Sequence, residues 1–352
     1  MAADTFALPE AALADYLAQH VDGFHGPLSA SKFAGGQSNP TYRIDAASGR
    51  YVLRRKPPGV LLPSAHAVDR EFRVLRALHG SAVPVARALH LCSDVSVIGS
   101  MFYVMEYVDG RVFWDPALPG LSNEQRGGAY DAIIATLAAL HAVDIDATGL
   151  GDYGKPGNYF ARQLTRWTAQ YRASETQPIA AMEALLAQLP PRCPADDGRV
   201  ALVHGDYRCD NLMFAHDTSA HSGPAQTGPR ILAVMDWELS TLGHPLADLG
   251  YLCMALRLPG KPPLPGLAGT DRAALGILDE AALLRRYSEL SGTDVDGDWN
   301  FVLAFSFFRL AAIAQGVAKR AQQGNASSER AQEAGRMVAL LAQMGVQALR
   351  DG

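Results

Sequence analysis

Apolar residues in the first hundred positions alternate between helical and strand spacing. Helical spacing occurs at residues 11–21 and 65–79, where apolar side chains recur every three or four positions. Between them, 41-TYRID-45 and 51-YVLRR-55 predict two strands joined by a short turn, a β-hairpin. The run 102-FYVMEYV-108 predicts a further, buried strand. This part of the chain is therefore expected to form a small sheet flanked by helices.

Helical spacing dominates the remainder of the chain. Ser122 and Gln125 have the spacing of a capping box and predict the start of a helix that continues to His141. Two strands, at 200–214 and 231–237, interrupt the helices, and the polar residues 215–230 between them predict a surface hairpin loop. The other predicted helices are 157–173, 178–189, 245–257, 279–291, 299–322 and a last one near 328–350.

This order of elements predicts an α+β fold with two lobes. Residues 1–108 are expected to form a small lobe with an antiparallel sheet, and residues 109–352 a larger, mostly helical lobe. Clefts between lobes are favoured ligand sites. The candidate chemistry is therefore sought in the polar residues that interrupt the strands.

Composition narrows the class of protein. The chain has 352 residues and a formal net charge of -5, which argues against a surface that binds nucleic acid. We expect a cytoplasmic protein, because the first residues lack a basic, apolar secretory signal and no uncharged run of about 18 apolar residues predicts a membrane span. The cysteines are dispersed and contain no C-x-x-C pair, which suits a reducing compartment: Cys92, Cys193, Cys209 and Cys253.

Polar residues interrupt both strands of the helical half. In 203-VHGDYRCDNLMF-214, His204, Asp206 and Asn211 follow the pattern H-x-D-x-x-x-x-N. Kinase catalytic loops use this spacing because the Asp meets an acceptor hydroxyl while the Asn turns back to a metal ion. Asp236 ends the strand in 231-ILAVMDWELS-240, where a second Mg²⁺ ligand belongs. A lone buried His or an Asp–Asn turn would have a structural role, but the joint order indicates kinase chemistry.

The predicted small lobe contains further candidates. Gly35 and Gly36 precede a strand and would let backbone N–H groups approach phosphate oxygens, although the same residues make an ordinary turn. Arg54 and Lys56 share one face of the next strand, and a cation there would bind the α- and β-phosphates. Glu71 on the following helix is expected to hold that cation. The alternative is a solvated edge strand and a surface glutamate.

Several segments resemble the aminoglycoside phosphotransferase superfamily of small-molecule kinases, to which choline kinase-like enzymes also belong. The resemblance covers nearly the whole chain and is clearest in the catalytic-loop segment, in 102-FYVMEYVDG-110 and in 231-ILAVMDWELSTLGHPLADLGYL-252. Three segments resemble, more narrowly, the kinase-like domain associated with acyl-CoA dehydrogenases: 51-YVLRRKPPGVLLPSAHAVDREFRVLRAL-78, 158-NYFARQLTRWTAQYRAS-174 and 307-FFRLAAIAQGVAKRAQQGNASS-328.

The resemblance implies a protein-kinase-like fold, ATP and Mg²⁺ as cofactors, and specific residue roles. It implies that Asp206 is the catalytic base, that Asn211 and Asp236 bind Mg²⁺, and that His204 positions the catalytic loop. Arg54 stands where most kinases keep a phosphate-binding Lys, so either Arg54 or Lys56 contacts the phosphates. The implied nucleotide-binding residues are the loop Gly35, Gly36, Ser38 and Asn39 over the phosphates, Met105 behind the base, and the hinge from Glu106 to Val108.

Three further positions follow from the same resemblance. Arg208 stands where protein kinases keep a Lys that steadies the γ-phosphate, but it could equally form an ion pair with Asp210. Asp248 is expected to accept hydrogen bonds that brace the catalytic loop. Glu238 replaces the Gly of the protein-kinase triplet, so no activation-loop flip is implied.

The expected reaction is MgATP-dependent phosphorylation of a small-molecule hydroxyl. Relatives linked to dehydrogenases imply a hydroxyacyl-CoA acceptor, which an excess of cations would suit: Arg162, Arg166, Arg309, Lys319, Arg320 and Arg330. Half or more of these cations would lie on solvated helix faces. The alternatives are an antibiotic kinase, a nucleotide-binding scaffold without activity, and a protein kinase, which the missing Ala-Pro-Glu signature disfavours. The sequence leaves the oligomeric state and the choice between ATP and GTP open.

Overall fold

The computed structural model describes residues 7–33, 39–57, 67–216, 228–260, 265–295, 297–320 and 328–351. The helices are α1 (Glu10–His20), α2 (Val68–Leu78), α3 (Asn123–His141), α4 (Tyr159–Ser174), α5 (Ala180–Gln188), α6 (Leu246–Arg257), α7 (Glu280–Ser291), α8 (Trp299–Arg320) and α9 (Ser328–Ala348). The strands are β1 (Leu28–Lys32), β2 (Thr41–Ala46), β3 (Gly49–Arg55), β4 (Ala88–Cys92), β5 (Phe102–Glu106), β6 (Arg111–Val112), β7 (Ala201–Val203), β8 (Leu212–Phe214), β9 (Ile231–Val234) and β10 (Thr241–Gly243).

The chain divides into two compact units. The first unit combines Met1–Val112 with the shorter segments Asp146–Leu150 and Asn211–Ser240. The second unit combines Phe113–Ile145, Gly151–Asp210 and Thr241–Gly352. The fold is of the mixed α+β class that the sequence predicts.

A five-stranded antiparallel sheet forms the frame of the first unit. Its strand order is β1-β2-β3-β5-β4, and the predicted hairpin is confirmed as β2 paired with β3. Leu13 and Leu17 of α1 are fully buried in a core that includes Ile44 and Leu53 from this hairpin. A second, three-stranded sheet in this unit has the order β6-β8-β9. The sheets therefore present the ends of β3 and β9, where candidate residues lie, within one unit.

Helices make up most of the second unit, with β7 and β10 as a short antiparallel pair. The predicted capping box is confirmed: the Ser122 hydroxyl accepts from the Gln125 amide, and the Gln125 side chain accepts from the Ser122 amide. By length and composition alone α8 could cross a membrane, but 83% of its most apolar window is buried inside the protein. Buried core helices of soluble proteins can be equally long and apolar, so the length and composition of α8 are weak evidence for a membrane span.

Four observed strands have no counterpart in the sequence prediction. They are β1, β4, β6 and β10, and each is short or only partly buried. β1 has one buried residue out of five, so its apolar alternation is too weak to predict a strand. These strands form because neighbouring strands supply hydrogen-bonding edges, which no local pattern indicates.

Candidate active site

A buried carboxylate holds the loop that follows β7. The Asp248 Oδ2 atom accepts from the His204 amide at 2.6 Å, and Oδ1 accepts from the Gly205 amide at 2.7 Å. Gly205 has φ +86°, a left-handed conformation that favours glycine. The expectation that Asp248 braces this loop is thus confirmed by its contacts.

Asp248 remains ionised despite complete burial. Burial opposes its charge, but His141 and the loop amides more than compensate and hold the pKa of Asp248 below its ordinary value. The His141 Nε2 atom lies 3.4 Å from Asp248 Oδ2, and its Nδ1 lies 2.7 Å from the Tyr287 hydroxyl. A fixed negative charge therefore organises the backbone of the loop.

Asp206 extends from this loop in a half-buried setting. Its amide donates to Nδ1 of the fully buried His204 at 3.2 Å, so His204 positions the backbone of Asp206. Burial raises the pKa of the Asp206 carboxyl, and the charge of Arg208 and a hydrogen bond from the Tyr251 hydroxyl partly oppose that rise. A carboxylate with a raised pKa is better matched to proton transfer than an exposed one.

Tyr251 is a residue of this cluster that the sequence analysis missed. It lies three residues after Asp248 on α6, is 4% exposed, and donates its hydroxyl to Asp206. Tyr251 could have been predicted from its spacing to Asp248, because residues three apart on a helix share a face. One helix thus supplies both the brace of the loop and a partner for its carboxylate.

Arg208 forms an ion pair with Asp210. Two nitrogen atoms of its guanidinium bond to both carboxylate oxygens, and the two side chains are mostly buried. The ion pair proposed as one alternative from the sequence is therefore present. This ion pair occupies two of the N–H donors of the Arg208 guanidinium.

In the first unit, Arg54 joins acids from two distant parts of the chain. Its Nε atom lies 2.9 Å from Glu71 Oε2, an ion pair whose angle does not suit a hydrogen bond. Its Nη2 atom donates to Asp236 Oδ1 at 2.7 Å and lies 3.6 Å from Glu238 Oε2. The Arg54 side chain is 12% exposed and that of Glu71 is 1% exposed. Three carboxylates thus surround one buried guanidinium.

Glu71 is held by further donors. The Asn39 amide donates to Oε1 at 2.7 Å and the Tyr103 hydroxyl donates to Oε2 at 3.1 Å. Burial raises the pKa of Glu71 to about 7, although Arg54 opposes the rise. The neighbouring candidate cation, Lys56, instead lies 3.6 Å from Asp69, whose side chain is half exposed. The structure therefore brings Arg54, and not Lys56, to Glu71.

The predicted metal ligands lie at one end of the β8–β9 hairpin. Leu212 pairs with Val234, and the Met235 amide donates to the Asn211 carbonyl at 2.9 Å, so Asn211 and Asp236 flank the same ladder end. Asp236 has φ +63°, a left-handed conformation that Asp tolerates better than most residues. The indole of Trp237 stabilises the turn by donating to the Val234 carbonyl at 3.0 Å.

The remaining candidates belong to the predicted hinge and to the predicted glycine-rich loop. Met105 and Val108 are half-buried and Glu106 is exposed. The Glu106 amide donates to the Arg87 carbonyl, so this amide is already engaged. Gly35, Gly36 and Ser38 lie outside the described residues.

The donors in the first unit suit a magnesium nucleotide. Mg²⁺ prefers one or two oxygen ligands from protein, with phosphate and water completing its shell. Asn211 and Asp236 offer such oxygens, and Arg54 adds a cation for phosphate. No group of three His, Cys, Asp or Glu side chains with metal-binding geometry occurs in the parts of the chain that the structure describes. That result is compatible with an ion held largely by phosphates.

Sequence comparison identifies relatives over nearly the full chain. The model of the phosphotransferase enzyme family matches residues 29–290. The chain is 47% identical over 343 residues to acyl-CoA dehydrogenase family member 10 of Mus musculus, covering 97% of this chain and 31% of that protein. It is 42% identical over 340 residues to family member 11 of Rattus norvegicus, covering 95% of this chain and 42% of that protein. The chain spans less than half the length of these relatives.

Solved structures agree with the family. A provisionally assigned aminoglycoside phosphotransferase from Ralstonia eutropha JMP134 is 48% identical, with a TM-score of 0.85 and coverage of 98% of this chain and 99% of that one. A spectinomycin phosphotransferase solved with ADP and spectinomycin is 13% identical, with a TM-score of 0.59 and coverage of 95% and 98%, a likeness of fold alone. The expected kinase-like fold and the resemblance are confirmed, and the chain belongs to the phosphotransferase enzyme family.

Proposed function

We propose that this protein transfers the γ-phosphate of ATP, with Mg²⁺, to a hydroxyl group of a small molecule. The observation that carries the proposal is the pairing of Arg54 with both Glu71 and Asp236. Kinases pair a phosphate-binding cation with a helix acid, and they place a metal-binding Asp after a later strand. Arg54, Glu71 and Asp236 have the residue types and the order that these roles require.

On this proposal the first unit binds the nucleotide. Arg54 would contact phosphate oxygens, Met105 would pack behind the base, and the backbone from Glu106 to Val108 would bind its edge. Asn211 and Asp236 would hold Mg²⁺, which neutralises charge on the transferring phosphate. The spectinomycin phosphotransferase of similar fold was solved with ADP, which supports nucleotide use here.

The chemical step is assigned to Asp206. Its carboxylate would accept the proton of the acceptor hydroxyl while the hydroxyl oxygen bonds to the γ-phosphorus and the bond to the leaving ADP oxygen breaks. Asp248 and His204 would keep Asp206 in place through the backbone of the loop. Arg208 would offer the γ-phosphate the guanidinium donors that its ion pair with Asp210 leaves unused.

For the acceptor we propose a hydroxyacyl-CoA. The names of the mouse and rat relatives, which are acyl-CoA dehydrogenase family members, support an acyl-CoA connection. A second candidate is an aminoglycoside, supported by the assignment of the Ralstonia eutropha protein. Labelled ATP offered with a hydroxyacyl-CoA or with an aminoglycoside would separate the two acceptors.

The substitution Asp206→Asn tests the mechanism. We expect turnover to fall by about 10²–10⁴-fold because the general base is lost, while nucleotide affinity is retained. Acceptor phosphorylation would be measured with labelled ATP, and nucleotide binding by calorimetry. Undiminished turnover would rule out Asp206 as the base. A wild-type protein that binds MgATP but phosphorylates no acceptor would instead favour a nucleotide-binding scaffold.

A further inference from the structure

Arg309 is a buried cation of the second unit. It lies in α8, is 5% exposed, and no atom of the described residues forms a hydrogen bond with its Nε atom. No ion pair to Arg309 occurs among the described residues. Buried arginines ordinarily pair with acids, because an isolated buried charge loses its hydration without compensation. A structural role alone therefore does not explain this residue.

Two aromatic rings hold the guanidinium in place. Its central carbon lies 5.6 Å from the ring centre of Trp167 and 5.4 Å from that of Tyr251. Contacts with ring faces fix the position of a cation but leave its N–H donors unused. The fork of Arg309 is thus preorganised, and it retains donors for an oxygen-bearing ligand.

The guanidinium lies beside the proposed catalytic base. Tyr251, whose ring faces Arg309, donates its hydroxyl to Asp206. The charge of Arg309 is also close enough to oppose the rise that burial causes in the pKa of Asp206. The side chain of Tyr251 therefore lies between the unused donors of Arg309 and the Asp206 carboxylate, which would deprotonate the acceptor.

Two more arginines increase the positive charge of this region. Arg162 and Arg166 lie four residues apart on one face of α4, and the Arg166 guanidinium is 5.4 Å from the centre of the Trp167 ring. Arg162 donates to backbone carbonyls. In the described part of the chain neither arginine has an ion-pair partner. Arg166 thus adds a second cation beside the Trp167 ring that Arg309 contacts.

We propose that Arg309 binds an oxygen of the acceptor molecule, either a carboxylate or a thioester carbonyl that stands close to the hydroxyl to be phosphorylated. The inference rests on the proposed function, since it takes Asp206 as the base. It assigns the acceptor to hydroxy acids and their thioesters, and it makes Arg309 the residue that distinguishes them from simple alcohols.

Three matched probes test the assignment. β-Hydroxybutyryl-CoA offers a thioester carbonyl, β-hydroxybutyrate offers a carboxylate, and the corresponding diol offers neither beside the same hydroxyl. Wild-type protein should bind and phosphorylate one of the two carbonyl-bearing probes and neglect the diol. Preference for the thioester or for the free acid identifies which group Arg309 contacts.

The substitution Arg309→Met tests the residue. We expect kcat/KM for the preferred probe to fall about 100-fold, because a donor to a buried acceptor oxygen is lost, whereas the affinity for MgADP should not change. The thermal midpoint of the free protein should stay equal or rise, since an unpaired buried charge is removed. Arg336→Met, which changes an exposed arginine on α9, is the control and should alter neither quantity.

The outcomes separate the two proposals. If wild type phosphorylates a probe and Arg309→Met does so equally well, this inference is overturned while the proposed function stands. If wild type only binds a probe, seen as a thermal shift that Arg309→Met abolishes, the inference stands and the proposed transfer fails for that probe. Absence of both binding and transfer for all probes overturns the inference. Should Arg309→Met fail to fold, Arg309→Lys, which keeps the charge without the fork, should lose about 10-fold in kcat/KM.

Discussion

Charged side chains in this protein take their properties from burial and from partners far along the chain. Arg54 and Asp236 are 182 positions apart, yet their atoms are 2.7 Å apart. Asp206 and Asp248 are both carboxylates within the second unit, but burial raises the pKa of Asp206 while donors hold the pKa of Asp248 down. Such divergence lets Asp206 on the loop act as a proton acceptor while Asp248 on α6 keeps a permanent structural charge.

The substitution Tyr251→Phe should shift the acid side of the pH profile of kcat/KM to higher pH. In wild type we expect kcat/KM to rise with pH as Asp206 loses its proton, with a midpoint above the ordinary value of 3.8. Tyr251 stabilises the ionised carboxylate, so its loss should shift the midpoint to higher pH. The comparison is Tyr130→Phe, which loses a bond to the Pro116 carbonyl and should leave the acid side of the profile in place. An unmoved acid side in Tyr251→Phe would contradict the assignment.

The substitution Arg54→Met should destabilise the first unit. It removes the cation that opposes the effect of burial on Glu71, whose pKa of about 7 should then rise further, and we expect the free energy of unfolding to fall by about 3–5 kcal/mol. Adding Glu71→Gln should recover part of that loss, which denaturant titration of the double-mutant cycle would measure. Lys56→Met, next to a half-exposed acid, should cost less than about 0.5 kcal/mol. If the changes in unfolding free energy of the two single variants add up to that of the double variant, Arg54 and Glu71 are not coupled.

Individual elements place the candidate residues. The start of α6 directs Asp248 at the loop after β7, and the next turn adds Tyr251. In the first unit, pairing of β8 with β9 sets Asn211 opposite Met235 and thereby close to Asp236. The periodicity of these segments predicts helix and hairpin. It does not predict which backbone amides the side chains would bond.

The substitution Asp248→Asn should loosen the loop after β7. An asparagine presents an N–H₂ group to one of two amide donors, so we expect a loss of about 3 kcal/mol in unfolding free energy near neutral pH. The pKa of Asp248 is depressed in the folded state. The difference from wild type should therefore be complete above the ordinary pKa of 3.8 and disappear as pH falls through the lower folded value.

Urea titration of both proteins across this pH range would measure the effect. The control is Asp279→Asn at the start of α7, where asparagine caps a helix as well as aspartate does, so stability should be nearly unchanged. Equal losses in the two variants would mean that the Asp248 carboxylate has no special part in holding the loop.

At the scale of the whole molecule, the two compact units do not follow chain order. Residues 211–240 join the first unit because β8 pairs with β6, with Arg111 opposite Phe214. Gly110 permits this approach, since a Cβ atom there would lie 2.6 Å from the Phe214 carbonyl oxygen. The dipeptide Asp109-Gly110 resembles an ordinary turn in sequence. Only the backbone of a distant strand explains the glycine.

Local patterns in the sequence by themselves determined the helices, the β2–β3 hairpin, the capping box of α3 and the family. Their signals lie within a few residues: the periods of 3.6 and 2, and the spacing of His204, Asp206 and Asn211. Tertiary structure alone decided that Glu71 pairs with Arg54 and not with Lys56, that Tyr251 donates to Asp206, and that Arg309 is buried with no ion pair to any acid that the structure describes. Burial and contacts between remote residues set these properties, and neither is written in the order of neighbouring side chains.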